Sequence, residues 1–152
     1  MVTRRPTLGA SVAFVMRLGL TKQGRYGIRA AVELAGRPFE LRKRHEIAAA
    51  TSVPPRTLAQ VLACLRRAGL VEAAAGRGGG YRLSRSPAEI TVLEVIEAIE
   101  GDVRERTCVL RSGPCDGSCA FHGTWLSAHE ALLARLGGTT LRDIARGDRR
   151  AA

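Results

Sequence analysis

Apolar residues along this chain recur at three- and four-residue spacing in a series of separate stretches, with one short extended stretch between them. Thr21 reads as the cap of a first helix, in which Tyr26, Ile28, Ala30, Ala31, Leu34 and Ala35 share one side and Gly36 and Pro38 end the run. A second, shorter helix is expected over Arg44 to Ala50, with Ile47 and the alanines inward. Thr51 to Pro55 is a break, and Pro55 suits the first turn of a third helix, Pro55 to Ala68. Leu58, Val61, Leu62 and Leu65 make its inner stripe, and Cys64 reads as a further small core residue. Arg56, Thr57, Gln60, Arg66 and Arg67 fall on its other side.

Gly69 stops that helix, after which Leu70 to Ala74 and Tyr81 to Leu83 read as two strands around the turn Gly76-Arg77-Gly78-Gly79-Gly80. Thr91 and Glu94 form a capping box that opens a fourth helix with Val92, Val95, Ile96 and Ile99 inward, ended by Gly101. From His122 to Leu136 a longer helix carries Trp125, Leu126, Ala128, Leu132, Leu133 and Leu136. Its apolar stripe is wide enough to pack on its own domain and also meet a second copy, giving a two-fold dimer. Gly137-Gly138 is expected to break it, and Thr140 to cap a short helix through Ala145. The fold class is therefore mainly α with a small β wing: a winged helix-turn-helix plus a long C-terminal dimerisation helix. The division expected is a loose tail at 1–17, the winged domain at 18–101, a cysteine loop at 102–122, the long and last helices at 123–145, and a basic tail at 146–152.

Charge gives that pattern a partner. The chain of 152 residues carries a formal net charge of +10, with Arg far outnumbering Lys. Clustered cations displace the counterions held by phosphates, so double-stranded DNA is the first partner to expect. A polar helix bearing Arg56, Thr57 and Gln60 can enter a major groove and reach base edges, while Arg66, Arg67, Arg77 and Arg82 can hold phosphates. The glycine-rich tip lacks the Lys-Ser or Lys-Thr pair of a nucleotide-binding loop. No apolar run long enough to span a bilayer occurs, and the expected location is cytoplasmic. Neither a nucleophile–base pair nor paired carboxylates stand out, so an enzyme is not expected; His45 and His129 read as surface or helix-packing residues.

Cys108, Cys115, Cys119 and His122 are packed into one short segment, separated by six, three and two residues. Gly113, Pro114 and Gly117 among them let the backbone fold these side chains toward one point. Thiolates and imidazoles are ligands for borderline metals, and thiolates hold iron–sulfur clusters. Zinc in a closed tetrahedral site is the alternative from the same donors, and a thiol switch using a Cys108–Cys115 or Cys115–Cys119 disulfide is another. An iron–sulfur electron-transfer protein is the remaining class, and it would have no use for a basic reading helix and wing.

The segments Thr21-Lys-Gln-Gly-Arg-Tyr26, Leu65-Arg-Arg-Ala-Gly-Leu-Val71, Gly78-Gly-Gly-Tyr81 and Ile90 to Gly101 resemble the IscR/NsrR (Rrf-two) family of bacterial winged-helix transcription regulators. The resemblance covers Met16 to Ile144 and implies a homodimer paired through the helix after the cysteine loop; the expected function is that of a DNA-binding regulator acting as a repressor. It also implies an iron–sulfur cluster, 2Fe–2S or 4Fe–4S, that senses oxygen, nitric oxide, redox state or iron–sulfur status. Cys108, Cys115 and Cys119 fall on the family's cluster cysteines, and His122 on the histidine that members resembling IscR use as fourth ligand. Members resembling the nitric-oxide sensor use an acidic residue in the first helix, where this chain has Arg25. Ala59 replaces the recognition-helix Glu of IscR, and Ala75 the wing Arg, with Arg77 two residues on. The spacing from Cys115 to Cys119 is shorter than the family's usual one.

Overall fold

Thr21 opens the first helix as expected: its hydroxyl accepts from the Gly24 amide at 3.0 Å, and α1 runs Lys22–Ala35. The architecture comes from a computed structural model, which describes residues 20–103, 110 and 116–151, the side chains of 148–151 excepted. Among these, α1 is followed by α2 (Arg44–Thr51), α3 (Pro55–Arg67), β1 (Val71–Ala74), β2 (Gly80–Leu83), α4 (Val92–Glu100), α5 (His122–Gly138) and α6 (Leu141–Ala151). Left-handed Ser52 separates α2 from α3, and Pro55 occupies the first turn of α3, where a missing N–H costs nothing. At the other end Gly69 takes φ 72°, and the Leu70 amide reaches back to the Leu65 carbonyl at 3.0 Å. That six-residue closure ends the helix and turns the chain into β1.

β1 and β2 pair antiparallel with Val71 opposite Leu83 and Ala74 opposite Gly80. Arg42 adds a one-residue third strand: its amide donates to the Tyr81 carbonyl at 2.9 Å and its carbonyl accepts from the Tyr81 amide at 2.8 Å. The wing is thereby fastened to the segment between α1 and α2.

The main core gathers Leu34, Ile47, Leu58, Leu62, Ile90 and Leu141, each fully buried, so α1, α2, α3 and α6 all contribute. A second cluster, Val92, Leu93, Ile96 and Val103, packs with Leu20, Leu133, Leu136 and Ile144. It fixes the C-terminal half of α5 to α4. No residue of α5 is buried, and Leu132 is 51% exposed.

Two expectations need correction here. Gly137 and Gly138 do not break α5, which continues through both and ends at Thr139. The last helix does not stop at Ala145 but runs to Ala151, and Leu141 and Ala145 enter the core. Thr140 caps it with Asp143, and the Leu141 amide bonds the Ile90 carbonyl at 2.9 Å, stitching its start to that of α4.

Candidate nucleic-acid interface and metal-ligand turn

Positions 56, 60, 63 and 67 repeat at helical spacing, so Arg56, Gln60, Ala63 and Arg67 form a stripe on α3 opposite Leu58, Val61, Leu62 and Leu65. Arg56 and Gln60 are exposed and Thr57 is half-buried. Arg66 and Arg67 lie in the last turn, where cations suit the carbonyl end of the helix. Cys64 is not the core residue expected. It is half-buried on the outer side of α3, accepts a hydrogen bond from Arg67 Nη2 at 3.1 Å, and helps line an open depression of about 510 Å³ with Gln60, Ala63, Arg66 and Arg67.

On the wing, Arg77 is exposed at the tip. Arg82 bonds Glu72, its register partner across the hairpin, so its charge is balanced within the wing. Gly79 and Gly80 are needed for closeness: a β-carbon on Gly79 would sit 2.2 Å from the Ala74 carbonyl oxygen, and one on Gly80 2.6 Å from that of Arg42.

In the cysteine segment, Cys108 and Cys115 lie outside the described residues. Gly117 (φ 86°) turns the chain just before Cys119. The Asp116 carboxylate accepts from the Ser118 hydroxyl at 2.6 Å and amide at 2.9 Å. Those bonds hold its carboxyl below the usual range. Cys119 is half-buried. His122, also half-buried, opens α5 with its amide donating to the Cys119 carbonyl at 3.0 Å. Its Nε2 lies 3.8 Å from where a β-carbon on Gly117 would be, an ordinary van der Waals distance that places the imidazole against this turn. One turn thus carries two of the four expected donors, a thiol and an imidazole, which suits a cluster or zinc equally. No group of three potential metal ligands occurs among the described residues.

Of the residues expected to pair two copies, Leu133 and Leu136 pack on the second cluster within the chain. Trp125 and Leu126 are half-buried and Leu132 is exposed. Trp125 stacks between Phe121 (6.4 Å) and His129 (5.9 Å), a ladder at four-residue spacing along α5.

A joint between α4 and α1 was not foreseen. Glu100 Oε1, at the end of α4, accepts from the Thr21 amide at 3.0 Å and hydroxyl at 2.5 Å. Gly24 and Gly27 make room for it, since β-carbons there would come 2.2 Å from Glu100 Oε1 and 2.8 Å from Ile99 Cγ1. The signal in the sequence was the three-residue spacing of Thr21, Gly24 and Gly27, a small-residue face on one side of a helix.

The Rrf2 family model, described as an iron-dependent transcriptional regulator, matches residues 20–147. The chain belongs to the Rrf2 family. The HTH-type transcriptional regulator IscR of Xenorhabdus nematophila is 32% identical over 131 residues, spanning 82% of this chain and 77% of its own length. Among solved structures, CymR, the global cysteine regulator of B. subtilis, superposes with a TM-score of 0.73 at 29% identity, covering 86% of this chain and 98% of its own. T. potens IscR gives 0.71 at 27% identity, covering 88% and 90%. This Rrf2-family chain is thus a DNA-binding transcriptional regulator, and its family and relatives are regulators rather than enzymes. Among the described residues, no helix is long and apolar enough to cross a membrane.

Proposed function

We propose that the chain is a homodimeric, cytoplasmic repressor whose grip on its operator follows the state of an iron–sulfur cluster held by Cys108, Cys115, Cys119 and His122. The observation that carries this reading is where the cysteine segment lies in the chain. It leaves α4 beside the Glu100–Thr21 joint of the head and enters α5 through the Cys119–His122 turn. A change in how that segment folds therefore acts on the first turns of α5, ahead of the contact that Leu133 and Leu136 make with α4. When bound, such a cluster supplies iron and sulfide that respond to oxygen, nitric oxide or reductant. A histidine donor is more easily protonated or displaced than a thiolate, which suits a labile sensor.

On DNA, Arg56, Thr57 and Gln60 face base edges while Arg66, Arg67 and Arg77 take phosphates. Arg82 joins them by exchanging Glu72 for phosphate, at small cost because an exposed ion pair contributes only ~0–1 kcal/mol. Trp125, Leu126 and Leu132 meet a second copy, and Leu133 and Leu136 hold α5 to its own head. The effect on DNA can be no larger than the difference in cluster affinity between the DNA-bound and free conformations.

Anaerobic purification followed by a visible spectrum and assays for iron, sulfide and zinc tests the ligand set. Iron and sulfide with visible absorption are expected. Stoichiometric zinc from an iron-replete host would replace the cluster by a structural zinc site. Absence of any metal would leave a thiol switch.

A further inference from the structure

The run Arg42-Lys43-Arg44-His45 is the densest cluster of basic side chains in the winged domain, and its four members do different work. Arg42 turns inward, its side chain 14% exposed, with Nη2 3.3 Å from Glu33 and Nε 3.5 Å from Glu46. Lys43, Arg44 and His45 are all exposed. Among the described residues, no carboxylate forms an ion pair with any of the three. The nearest acidic residue in sequence, Glu46, is turned back onto the Lys43 amide at 2.8 Å and toward Arg42. That amide and the surrounding cations hold its carboxyl ionised, below the usual range.

The position of the run follows from the ladder. Arg42 pairs antiparallel with Tyr81, so the step from Arg42 to Lys43 runs along β2 toward Gly80 and the wing tip. Gly80 lies against the Arg42 backbone closely enough that a β-carbon would collide with it. Lys43 therefore follows Arg42 toward the tip end of the hairpin, and Arg44 and His45 open α2 directly after it. Glu72 balances Arg82 on that hairpin, so Lys43, Arg44 and Arg77 supply the unbalanced positive charge on this edge.

We infer that Lys43, Arg44 and His45 form a phosphate-gripping patch that extends the DNA surface between α3 and the wing, adding affinity without base preference. The inference rests on DNA binding by this family and adds residues that neither the α3 stripe nor the wing tip includes. Lys43 acts as a point charge and Arg44 as a fork, both suited to phosphate oxygens. Contacts of this kind set register and orientation on a duplex and carry no sequence information.

The test uses the full chain and two probes: a short duplex selected by the wild-type chain from a random pool, and a scrambled duplex of equal composition. Binding is followed by anisotropy between roughly 50 and 200 mM salt. The double variant K43Q/R44Q should weaken binding to both duplexes by the same factor. It should also flatten the slope of log affinity against log salt by roughly 0.9 for each phosphate contact removed. The charge-preserving variant K43R/R44K should keep the wild-type slope. A circular dichroism melt shows that each variant is folded, since the Glu46 bond to the Lys43 amide needs neither side chain. An unchanged slope in a folded K43Q/R44Q variant overturns the inference, and points to an acidic protein surface as the partner of this patch. Loss of binding to the selected duplex alone also overturns it, because that would make these residues base readers. Failure of the wild-type chain to bind either duplex would instead refute the DNA-binding assignment beneath it.

Discussion

Where the Arg42 strand meets the wing, a single hydrogen atom decides the geometry. Gly80 has an ordinary φ, so its requirement is space: the carbonyl of Arg42 occupies the place a β-carbon would take. Gly80→Ala must push the Arg42 strand off Tyr81 or twist β2, an overpacking cost of about 1–3 kcal/mol. A urea titration of the variant should show that loss, and an unchanged midpoint would contradict the close approach. The glycine cluster was visible in the sequence as the turn of the hairpin. Which glycine faces a third strand depends on Arg42, far upstream, and no local pattern reports it. Cys64 was misread for a related reason. It follows Leu58, Val61 and Leu62 at near-helical spacing, yet its position lies at the margin of the buried stripe and turns toward Gln60 and Arg67. The exposure of Arg56, Gln60 and Arg77 could be read because the polar side of a helix and the tip of a hairpin turn follow from local pattern alone.

Among the elements, α4 is the one whose sequence signal and structure agree most closely. The Glu94 carboxylate accepts from the Thr91 amide at 2.8 Å and from Arg85 at 2.8 Å, and the Thr91 hydroxyl accepts from the Glu94 amide at 3.2 Å. Burial pushes the Glu94 carboxyl up, but its bonds to Thr91 and Arg85 together outweigh that and leave it below its ordinary value of 4.5. The folded form therefore binds its proton less readily than the unfolded chain. The stabilisation is complete above about 4.5 and is lost as pH falls through the lower folded value. Glu94→Gln should be less stable than wild type at neutral pH and should lose less on acidification below that point, as followed by urea midpoints. A parallel pair of pH curves would contradict this. The last two helices were less legible. Gly137-Gly138 looks like a break, yet the glycines cost only about 1 kcal/mol each in a helix. Leu133 and Leu136, packed on α4, hold the turn before them. Likewise Leu141 and Ala145 carry no local sign that α1, more than a hundred residues earlier, needs them as cover.

Across the whole molecule, the order of helices, hairpin and cysteine segment gave the winged fold directly, because each boundary carries its own cap, proline or glycine. The donor set was equally plain as a list of residues. Its assembly into one pocket depends on Cys108 and Cys115, which lie outside the described residues. Pairing of two copies belongs to this scale too. With Leu132 half-exposed and no residue of α5 buried, the helix leaves apolar surface that a second copy would cover. Leu132→Asp should shift the chain to monomer in sedimentation equilibrium while leaving its helical content intact, and a dimer of wild-type affinity would remove α5 from the interface.

The central claim is that the cysteine segment couples what it binds to how the two heads hold a duplex. The most direct measurement compares operator affinity of the anaerobically loaded chain with that of the same preparation stripped by a chelator, at one fixed salt concentration. Cys108→Ser/Cys115→Ser/Cys119→Ser serves as the control that cannot be loaded. The account predicts that loaded and stripped wild type differ by about five- to 150-fold, the usual range of coupling between sites, and that the triple variant matches the stripped form. Equal affinities for loaded and stripped protein would contradict it.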